Sequence, residues 1–408
     1  MKAFWRNIHL YLALASGLVI LVICFTGSVL VFEKEFQQTL YPERYFVKPL
    51  NVQLSLDSVI QKFEASVKDT KVSGVKLYAD PQRSLEVSYV EKKTHKKSEK
   101  ADKKEHKEKD HKAKDVEKKQ EPPRPKQAFV NPYSGELISL YDSRSGFFFT
   151  ILSLHRWLLM GSTGKLITGI STSFFLFILI TGIILWWPKT KAKLKQHLTI
   201  KWAGWKRINH DLHIVIGFYC AIFLFAFAFT GLAWSFEWFN NGIYWVTGTK
   251  NIRPEPPSSI YQATAKRLLV DSILNNIQKR VSDASYIQIS LPKDSAAVYA
   301  VTLMTNNAAH ERASDQYFFD QYTGQLAGTS LYHERNLGQR VRATFYPIHV
   351  GSIGGLPGRV IAFVVCIAGT TFPVTGVILW INRLKKQRKK KNKKKKVERV
   401  QAEILAEA

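Results

Sequence analysis

Four stretches of this 408-residue chain contain no aspartate, glutamate, lysine or arginine and are almost entirely apolar. Each is 22 or 23 residues long, and about 20 apolar residues are enough for a helix to cross the hydrocarbon core of a bilayer. A helix on the surface of a soluble protein would show a polar face over such a length. The sequence therefore predicts four transmembrane helices. They are Leu10–Phe32, Leu166–Trp187, Ile214–Phe236 and Val360–Ile381.

The first apolar stretch follows Lys2 and Arg6, as the apolar region of a signal peptide would. It is longer than such a region, which has about 7–15 residues, and no small-residue cleavage site follows Thr26-Gly27. We therefore expect it to remain as the first membrane span.

Three segments supply most of the formal net charge of +27. Segment 188–207 has seven Lys/Arg and no acid, Arg383–Arg399 has twelve and one acid, and Glu91–Lys126 has fifteen basic and nine acidic residues. Short loops rich in Lys and Arg stay in the cytoplasm, whereas charge has little effect on translocation of a long loop. We therefore expect a bacterial inner-membrane protein with both termini and segment 188–207 in the cytoplasm. Membrane lipid is the expected partner of these basic segments, and nucleic acid is not.

Internal repetition is visible in the spacing of four histidines. His9 and His213 each precede a Thr-Gly pair by 17 residues and a glutamate by 24. His155 and His349 each precede a Gly-Lys or Gly-Arg pair by 9 residues, a Thr-Gly pair by 26 and a tryptophan by 31. Agreement at several offsets indicates two copies of one unit, each with two spans. The Thr-Gly pairs begin at Thr26, Thr181, Thr230 and Thr375.

The loop inside each copy has an α+β pattern. A helical pattern at Leu54–Ser66 or Ile260–Arg280 comes first, followed by short segments with alternating apolar residues that predict strands. A turn ending in Gly135 or Gly324 follows the later strands. The predicted strands are Val72–Tyr78, Ser84–Val90, Gln127–Tyr133 and Glu136–Tyr141 in the first loop, and Tyr286–Leu291, Ala297–Met304 and Gln316–Gln321 in the second.

The lysine-rich segment 91–126 interrupts the first loop. It contains almost no aliphatic residues, so it cannot bury enough surface to offset its ordering entropy, and we predict a disordered insert. Its three histidines, His95, His106 and His111, leave loose metal binding open as the less favoured alternative.

The fold class predicted is a mainly α membrane protein built from two parallel repeats. Each repeat has two transmembrane helices that enclose a small periplasmic α+β module. The predicted order is a first span at 1–33, a module at 34–146 containing the insert, an outer histidine segment with the second span at 147–187, a basic loop at 188–207, a third span at 208–237, a second module at 238–344, an outer histidine segment with the fourth span at 345–381 and a basic tail at 382–408.

This arrangement resembles the PepSY-associated transmembrane family, which includes iron-uptake-factor proteins and periplasmic ferric-siderophore reductases. The motifs that carry the resemblance are Arg6-x-x-His9, Leu154-His155-Arg156-Trp157, His213 with Thr230-Gly231, and Ile348-His349. The resemblance covers nearly the whole chain except the insert and the tail. It implies PepSY-like modules and a haem-bearing membrane reductase that passes electrons outward to ferric iron. Some relatives carry a flavin- and nicotinamide-binding extension that this sequence lacks, so the electron donor is left open between a quinol and a cytoplasmic reductase.

The four histidines also point to haem on chemical grounds. Parallel repeats would place His9 opposite His213 near the cytoplasmic side and His155 opposite His349 near the outer side. Two imidazoles from facing helices are the axial ligands of a bis-histidine haem, which transfers electrons and leaves no open iron position. We therefore predict two haems b, with the four histidines as iron ligands. Cross-pairing of the histidines, and a plain role as helix caps or interfacial anchors, remain alternatives.

Basic residues near the span ends are candidates for pairing with haem propionates, and interfacial anchoring is the alternative for each. His210 lies one helical turn before His213, and we favour His213 as the ligand because it repeats the His9 spacing. His197, His310 and His333 have no counterpart in the repeat and are predicted to lie on the surface. Trp234 is interpreted as a residue of the membrane interface. The basic candidates are Arg6, Arg156, Lys165, Arg207 and Arg359.

The function predicted is a haem-containing reductase of periplasmic ferric chelates or ferric siderophores in iron uptake, with the chelate held between the two modules. One alternative is a metal or siderophore transporter, although the spans contain no charged residue near their centres. The other is a membrane-anchored module that binds a peptide or a protease, which leaves the paired histidines unexplained.

Overall fold

The computed structural model describes residues 2–92, 124–188, 190–252, 255–260 and 265–407. Most of the predicted disordered insert, including His95, His106 and His111, lies outside the described residues.

The described residues form thirteen α-helices and eight β-strands. A π-helical turn, Leu212–Ile216, joins α8 to α9, and 3-10 turns lie at Tyr332–Glu334 and Ser352–Gly354. The helices are α1 Lys2–Val31, α2 Glu33–Leu40, α3 Pro42–Tyr45, α4 Leu56–Ser66, α5 Phe147–Trp157, α6 Gly161–Trp186, α7 Lys191–Leu198, α8 Gly204–Asp211, α9 Gly217–Ser235, α10 Glu237–Val246, α11 Val270–Gln278, α12 Leu337–His349 and α13 Gly355–Glu407. The strands are β1 Thr70–Tyr78, β2 Leu85–Glu91, β3 Lys126–Val130, β4 Leu137–Tyr141, β5 Ala284–Ser290, β6 Tyr299–Thr305, β7 Asp315–Phe319 and β8 Leu326–Ser330.

Four helical segments of the described chain are long and apolar enough to cross a membrane. One contains the whole of a predicted span, and the other three each contain all but the last residue of one. They are α1, α6, the continuous segment Gly204–Ser235, and α13 with the 3-10 turn before it. They form a bundle in which α1 packs against α6 and α13, and α9 packs against the same two helices. Its core includes Ile20, Cys24, Phe175, Cys220 and Leu224. The predicted membrane spans are confirmed.

The strands form one antiparallel sheet of eight strands in the order β4-β3-β2-β1-β5-β6-β7-β8. Strands β1 and β5 pair from Gly74 opposite Ser290 to Tyr78 opposite Tyr286, so the strands of the two loops form one continuous sheet. The two predicted modules are therefore joined edge to edge. Strand β8 was not predicted, and within the described residues of the helix predicted at Ile260–Arg280 the structure has α11.

Helices α4 and α11 cover one face of the sheet, and their apolar side chains join a single core with residues of both halves of the sheet. Their N-termini cap each other. The Asp271 carboxylate accepts the backbone N–H groups of Leu56 and Asp57 at 2.9 and 3.0 Å. The Asp57 carboxylate accepts those of Val270 and Asp271, both at 3.0 Å. Carboxylates at these positions satisfy N–H groups that a helix leaves unpaired and interact favourably with its dipole.

This reciprocal cap gives a stability prediction. Replacing Asp57 or Asp271 by alanine should lower the free energy of unfolding by about 1 kcal/mol, because each change leaves two N–H groups of the opposite helix without their acceptor. Thermal unfolding in detergent, followed by circular dichroism, measures the change. The control is Asp283→Ala at an exposed position. Equal stability of D57A and D283A would show that the cap contributes nothing.

Candidate functional site

Two pairs of histidines meet inside the helical bundle. The ring centroids of His9 and His213 are 6.4 Å apart, and those of His155 and His349 are 6.1 Å apart. We call His9 and His213 the basic-side pair, because they lie near the basic segment 188–207 and the start of the basic tail. His155 and His349 are the sheet-side pair. The structure thus brings together the partners expected from the repeat rather than the cross-paired alternative.

The histidines come from different kinds of local structure. His9 lies in the regular helix α1, and His213 lies in the π-helical turn that interrupts the third span. π-Helical turns widen a helix locally and are frequent at functional sites. His155 and His349 each lie in the last turn of a short helix, α5 and α12, which precede the second and fourth spans.

A threonine on a neighbouring helix holds each imidazole. The Nδ1 atom of each histidine lies 2.9–3.1 Å from a threonine Oγ1. These threonines belong to the four Thr-Gly pairs whose spacing from the histidines repeats in the sequence, but a contact between them and the histidines was not predicted. The contacts are His9 with Thr181, His155 with Thr26, His213 with Thr375 and His349 with Thr230.

The hydrogen-bond pattern defines the tautomer. Each threonine hydroxyl donates its hydrogen to the carbonyl four residues earlier in its own helix, at 2.6–3.0 Å, so its oxygen accepts from the imidazole. His155 Nδ1 also lies 3.0 Å from the Ile23 carbonyl, and His349 Nδ1 lies 2.9 Å from the Phe227 carbonyl. A carbonyl only accepts, so Nδ1 carries the proton. Each Nε2 is therefore a lone-pair nitrogen, the form in which histidine binds a metal.

The glycine of each Thr-Gly pair lets the imidazole approach the helix closely. A Cβ atom built on Gly27, Gly231 or Gly376 would lie 3.2–3.3 Å from the Cε1 atom of the histidine, which is tighter than an ordinary contact. At Gly182 the corresponding distance is 3.5 Å. Threonine and glycine therefore act as one unit that fixes the position of the ring.

A cavity surrounds each pair. The cavity at the basic-side pair has a volume of about 360 Å³, and the one at the sheet-side pair about 410 Å³. Both are lined by Ile20 and Phe175, so one layer of apolar side chains separates them. His9 and Thr26, which contacts His155, are 17 residues apart on α1, so the two sites lie about 25 Å apart along the helix.

The separation of the ring centroids fits an iron ion held between two imidazoles. Rings bound to one metal from opposite sides would have centroids about 6 Å apart, because each metal–nitrogen bond is about 2 Å and the nitrogen lies about 1 Å from the ring centre. For the sheet-side pair, whose helices α5 and α12 lie outside the four spans, burial lowers the pKa of His155 to about 3 and that of His349 to about 4. Both imidazoles are therefore neutral.

Basic side chains lie at both cavities, but they are only partly the predicted ones. Arg6 lines the basic-side cavity, and Arg156 and Lys165 line the sheet-side cavity. Two other predicted residues have different partners. Arg207 Nε donates to Asp211 at 2.8 Å, and Arg359 pairs with Glu35. The structure adds Arg383 at the basic-side cavity and Arg312 at the sheet-side cavity.

The remaining histidines fall into two groups. His210 Nδ1 lies 3.0 Å from the buried Asp211 carboxylate and does not line the cavity, which supports the choice of His213. His333 is exposed as predicted. The prediction of a surface position was wrong for His197, which lines the basic-side cavity with Nδ1 2.7 Å from the Trp186 carbonyl. It was also wrong for His310, which is half-buried with Nε2 2.9 Å from the Tyr332 hydroxyl.

The four apolar spans and the bundle that they form define a multi-pass membrane protein. The family model of the PepSY-associated TM region matches residues 6–383, nearly the whole chain, and the protein therefore belongs to that family. A comparison with curated proteins finds no match. The resemblance seen in the sequence is thus confirmed at the level of the family.

Proposed function

We propose that this protein is a haem-containing membrane reductase that passes electrons across the membrane to ferric chelates. The observation that carries the proposal is the set of four imidazoles, arranged as two facing pairs at two depths, each with its Nδ1–H bound to a neighbouring helix. His9 with His213 and His155 with His349 would each hold one haem b. Haem bound in this way supplies one-electron transfer without an open iron position.

The chain's own residues provide the remaining requirements. Arg6 and Arg383 at one cavity, and Arg156 and Lys165 at the other, would neutralise the propionates. The apolar layer of Ile20 and Phe175 excludes water between the two sites. The lysines and arginines of segment 188–207 and of the basic tail would keep the end of the bundle with the basic-side pair on the cytoplasmic side. The sheet would then lie in the periplasm, and the sheet-side pair would lie toward the periplasmic side of the inner membrane.

Electrons would enter at the basic-side pair from a quinol or a cytoplasmic reductase. They would leave at the sheet-side pair, where each electron reduces one ferric ion of a chelate, such as a ferric siderophore, to ferrous iron. Ferrous iron has a lower charge and binds oxygen ligands more weakly, so reduction releases it from the chelate.

The same geometry argues against a carrier for bare metal ions. Ions such as Zn²⁺ are usually held by three or more protein ligands. Over the part of the chain that the structure describes, no group of three or more His, Cys, Asp and Glu side chains could hold a metal ion. Two facing imidazoles suffice for haem, because the porphyrin supplies the other four nitrogens.

The visible spectrum and a single-turnover assay test this proposal. Protein purified in detergent, after expression with ample haem supply, should bind two haems per chain and show a sharp Soret band. After reduction by dithionite and removal of the excess, ferric citrate should reoxidise the haems and yield one ferrous ion per haem, captured by a ferrous-specific dye.

Gallium(III) citrate is the matched control, because gallium(III) has the charge and ligand preference of iron(III) but is not reduced under these conditions. It should leave the reduced spectrum unchanged. A colourless protein, or reduced haems that persist in the presence of ferric citrate, would contradict the proposal.

A further inference from the structure

A third cavity adjoins the cavity of the sheet-side histidines, and it was not predicted from the sequence. It has a volume of about 800 Å³ and lies between α10, α12 and the end of the sheet formed by β7 and β8. Cavities of this size hold small molecules. We call it the arginine cavity, because Arg312, Arg335 and Arg342 line it.

The arginine cavity carries an excess of positive charge. Glu334 is the one acidic residue among its described lining residues, against three arginines. None of the three guanidinium groups forms a salt bridge within the described part of the chain. Arg342 is half-buried, and burial, with a further contribution from the nearby Arg312 charge, lowers its pKa. Like charges that are close together and partly desolvated favour an anionic ligand.

Neutral contacts hold two of these guanidinium groups in place. Arg342 Nε donates to the Asn240 side-chain carbonyl at 2.6 Å, and Arg335 Nη2 donates to the Ser314 backbone carbonyl at 2.6 Å. These acceptors orient the two arginines and leave their positive charge uncompensated. A planar guanidinium in a fixed orientation suits a carboxylate, which it binds through two parallel hydrogen bonds.

A short series of contacts connects this cavity to the sheet-side pair. The Trp234 ring centroid lies 5.4 Å from that of His349, and the guanidinium carbon of Arg342 lies 4.8 Å from the Trp234 ring centroid. Trp234, Arg312 and Tyr346 line both the sheet-side cavity and the arginine cavity. A ligand in the arginine cavity would therefore lie next to the group that His155 and His349 hold.

The first half of the chain lacks the polar residues of this cavity at matching positions. Trp234, Asn240 and Tyr244 follow His213 by 21, 27 and 31 residues, and the same offsets from His9 give Leu30, Phe36 and Leu40. Arg342 and Tyr346 precede His349 by 7 and 3 residues, where the positions before His155 hold Phe148 and Leu152. The histidines and Thr-Gly pairs agree between the halves, but these five lining residues of the arginine cavity differ. Polar residues concentrated in one copy indicate a role that only this copy performs.

We propose that the arginine cavity is the binding site of an anionic ferric chelate whose iron is held by carboxylate-bearing ligands. This inference rests on the proposed reductase function and specifies the class and the place of its substrate. The carboxylates of the chelate pair with Arg335 and Arg342, while Arg312 bridges the cavity to the sheet-side pair. A neutral trishydroxamate chelate lacks these carboxylates and binds more weakly.

The experiment measures binding without electron transfer. Equilibrium dialysis of the full-length protein in detergent against gallium(III) citrate, with gallium measured by mass spectrometry, should show binding at least ten-fold tighter than that of neutral tris(acetohydroxamato)gallium. Arg342→Gln and Arg335→Gln should each weaken binding of gallium citrate at least ten-fold, and Arg342→Lys should retain part of the affinity. Arg340→Gln, at an exposed position of α12 that does not line the cavity, is the matched control. An unchanged visible spectrum shows that each variant is folded.

Equal affinity for the anionic and neutral chelates, or equal affinity of R342Q and R340Q for gallium citrate, would overturn this inference. Binding of metal-free citrate as tightly as gallium citrate would show a general anion site and would also overturn it. These failures are distinct from failure of the proposed function. A coloured, reducible protein that does not bind gallium citrate disproves only the site, whereas a colourless protein that binds it through the arginines disproves only the reductase.

Discussion

Substitution of His9 or His213 by alanine is expected to lower the haem content from about two per chain to about one. The haem that remains should be the one at the sheet-side pair. His155→Ala and His349→Ala should have the opposite selectivity, because those residues line the other cavity. Each of the four changes would remove one of the two proposed axial ligands of a haem and leave the partner imidazole as the only protein ligand. Ferrous iron production from ferric citrate in vesicles should fall to the background rate in all four variants, because transmembrane transfer requires both sites.

Double variants make the assignment specific. Within one pair, the second substitution should add almost nothing, because residues that act as one unit are not additive. Across pairs, as in His9→Ala with His155→Ala, the protein should be colourless. If His9 were instead paired with His155, this double variant would lose both ligands of one haem and keep the other haem. Pyridine haemochrome assays with protein quantification measure the stoichiometry.

His210→Ala is the matched control for this series. His210 lies one turn from His213 on the same segment, but its ring bonds to Asp211 and does not line the cavity. The H210A variant should keep both haems and the full rate. Loss of a haem in H210A together with its retention in H213A would show that the ligand had been assigned to the wrong residue.

The membrane spans and the histidine pairing were accessible from the sequence because both depend on local or repeated features. A span is a continuous apolar run, so Leu10–Phe32 and its three counterparts are visible without tertiary information. The pairing of His9 with His213 follows from symmetry once the offsets to the Thr-Gly pairs agree. In the structure the expected partners do face each other, and the ring centroids of each pair are about 6 Å apart.

The role of the Thr-Gly pairs was not accessible in the same way. Thr181 contacts His9 across 172 residues, and Thr230 contacts His349 across 119. In both cases the histidine that the threonine contacts is not the one that precedes it at the repeated spacing. A pattern of small residues within an apolar helix is equally typical of close helix packing. Only the three-dimensional arrangement distinguishes a site that orients an imidazole from a site where two helices touch.

The continuous sheet and the arginine cavity were missed for different reasons. Pairing of β1 with β5 depends on a register between strands more than 200 residues apart, and alternation of side chains shows only which face of a strand is buried. The sequence does contain a sign of the cavity, at positions where the two halves differ. Arg342 and Asn240 occupy positions at which the first half has Phe148 and Phe36. Where two halves of a sequence agree in spacing, the positions at which they differ are candidates for a role that one half performs alone.

Removing a single hydroxyl from a Thr-Gly pair is expected to weaken haem binding selectively. Thr181→Val or Thr375→Val should lower haem affinity at the basic-side pair by about ten-fold, and Thr26→Val or Thr230→Val should do so at the sheet-side pair. Partners that orient a ligating histidine typically contribute about 10–100-fold to affinity or activity. We expect an effect at the lower end of this range, because a backbone carbonyl can still accept the Nδ1–H, as the Ile23 carbonyl does for His155.

The same substitution should raise the midpoint potential of the affected haem. A hydrogen bond accepted from Nδ1–H increases the electron donation of the imidazole, which favours ferric over ferrous iron, so its loss favours the reduced state. Serine keeps the hydroxyl, and Thr→Ser at each position should therefore restore both affinity and potential. A spectroelectrochemical titration of T375V and T375S resolves the two haems. If T375V and T375S had the same potential and the same haem content, the hydroxyl would contribute nothing to the site, because valine keeps the branched shape of threonine but removes the acceptor, whereas serine keeps the acceptor.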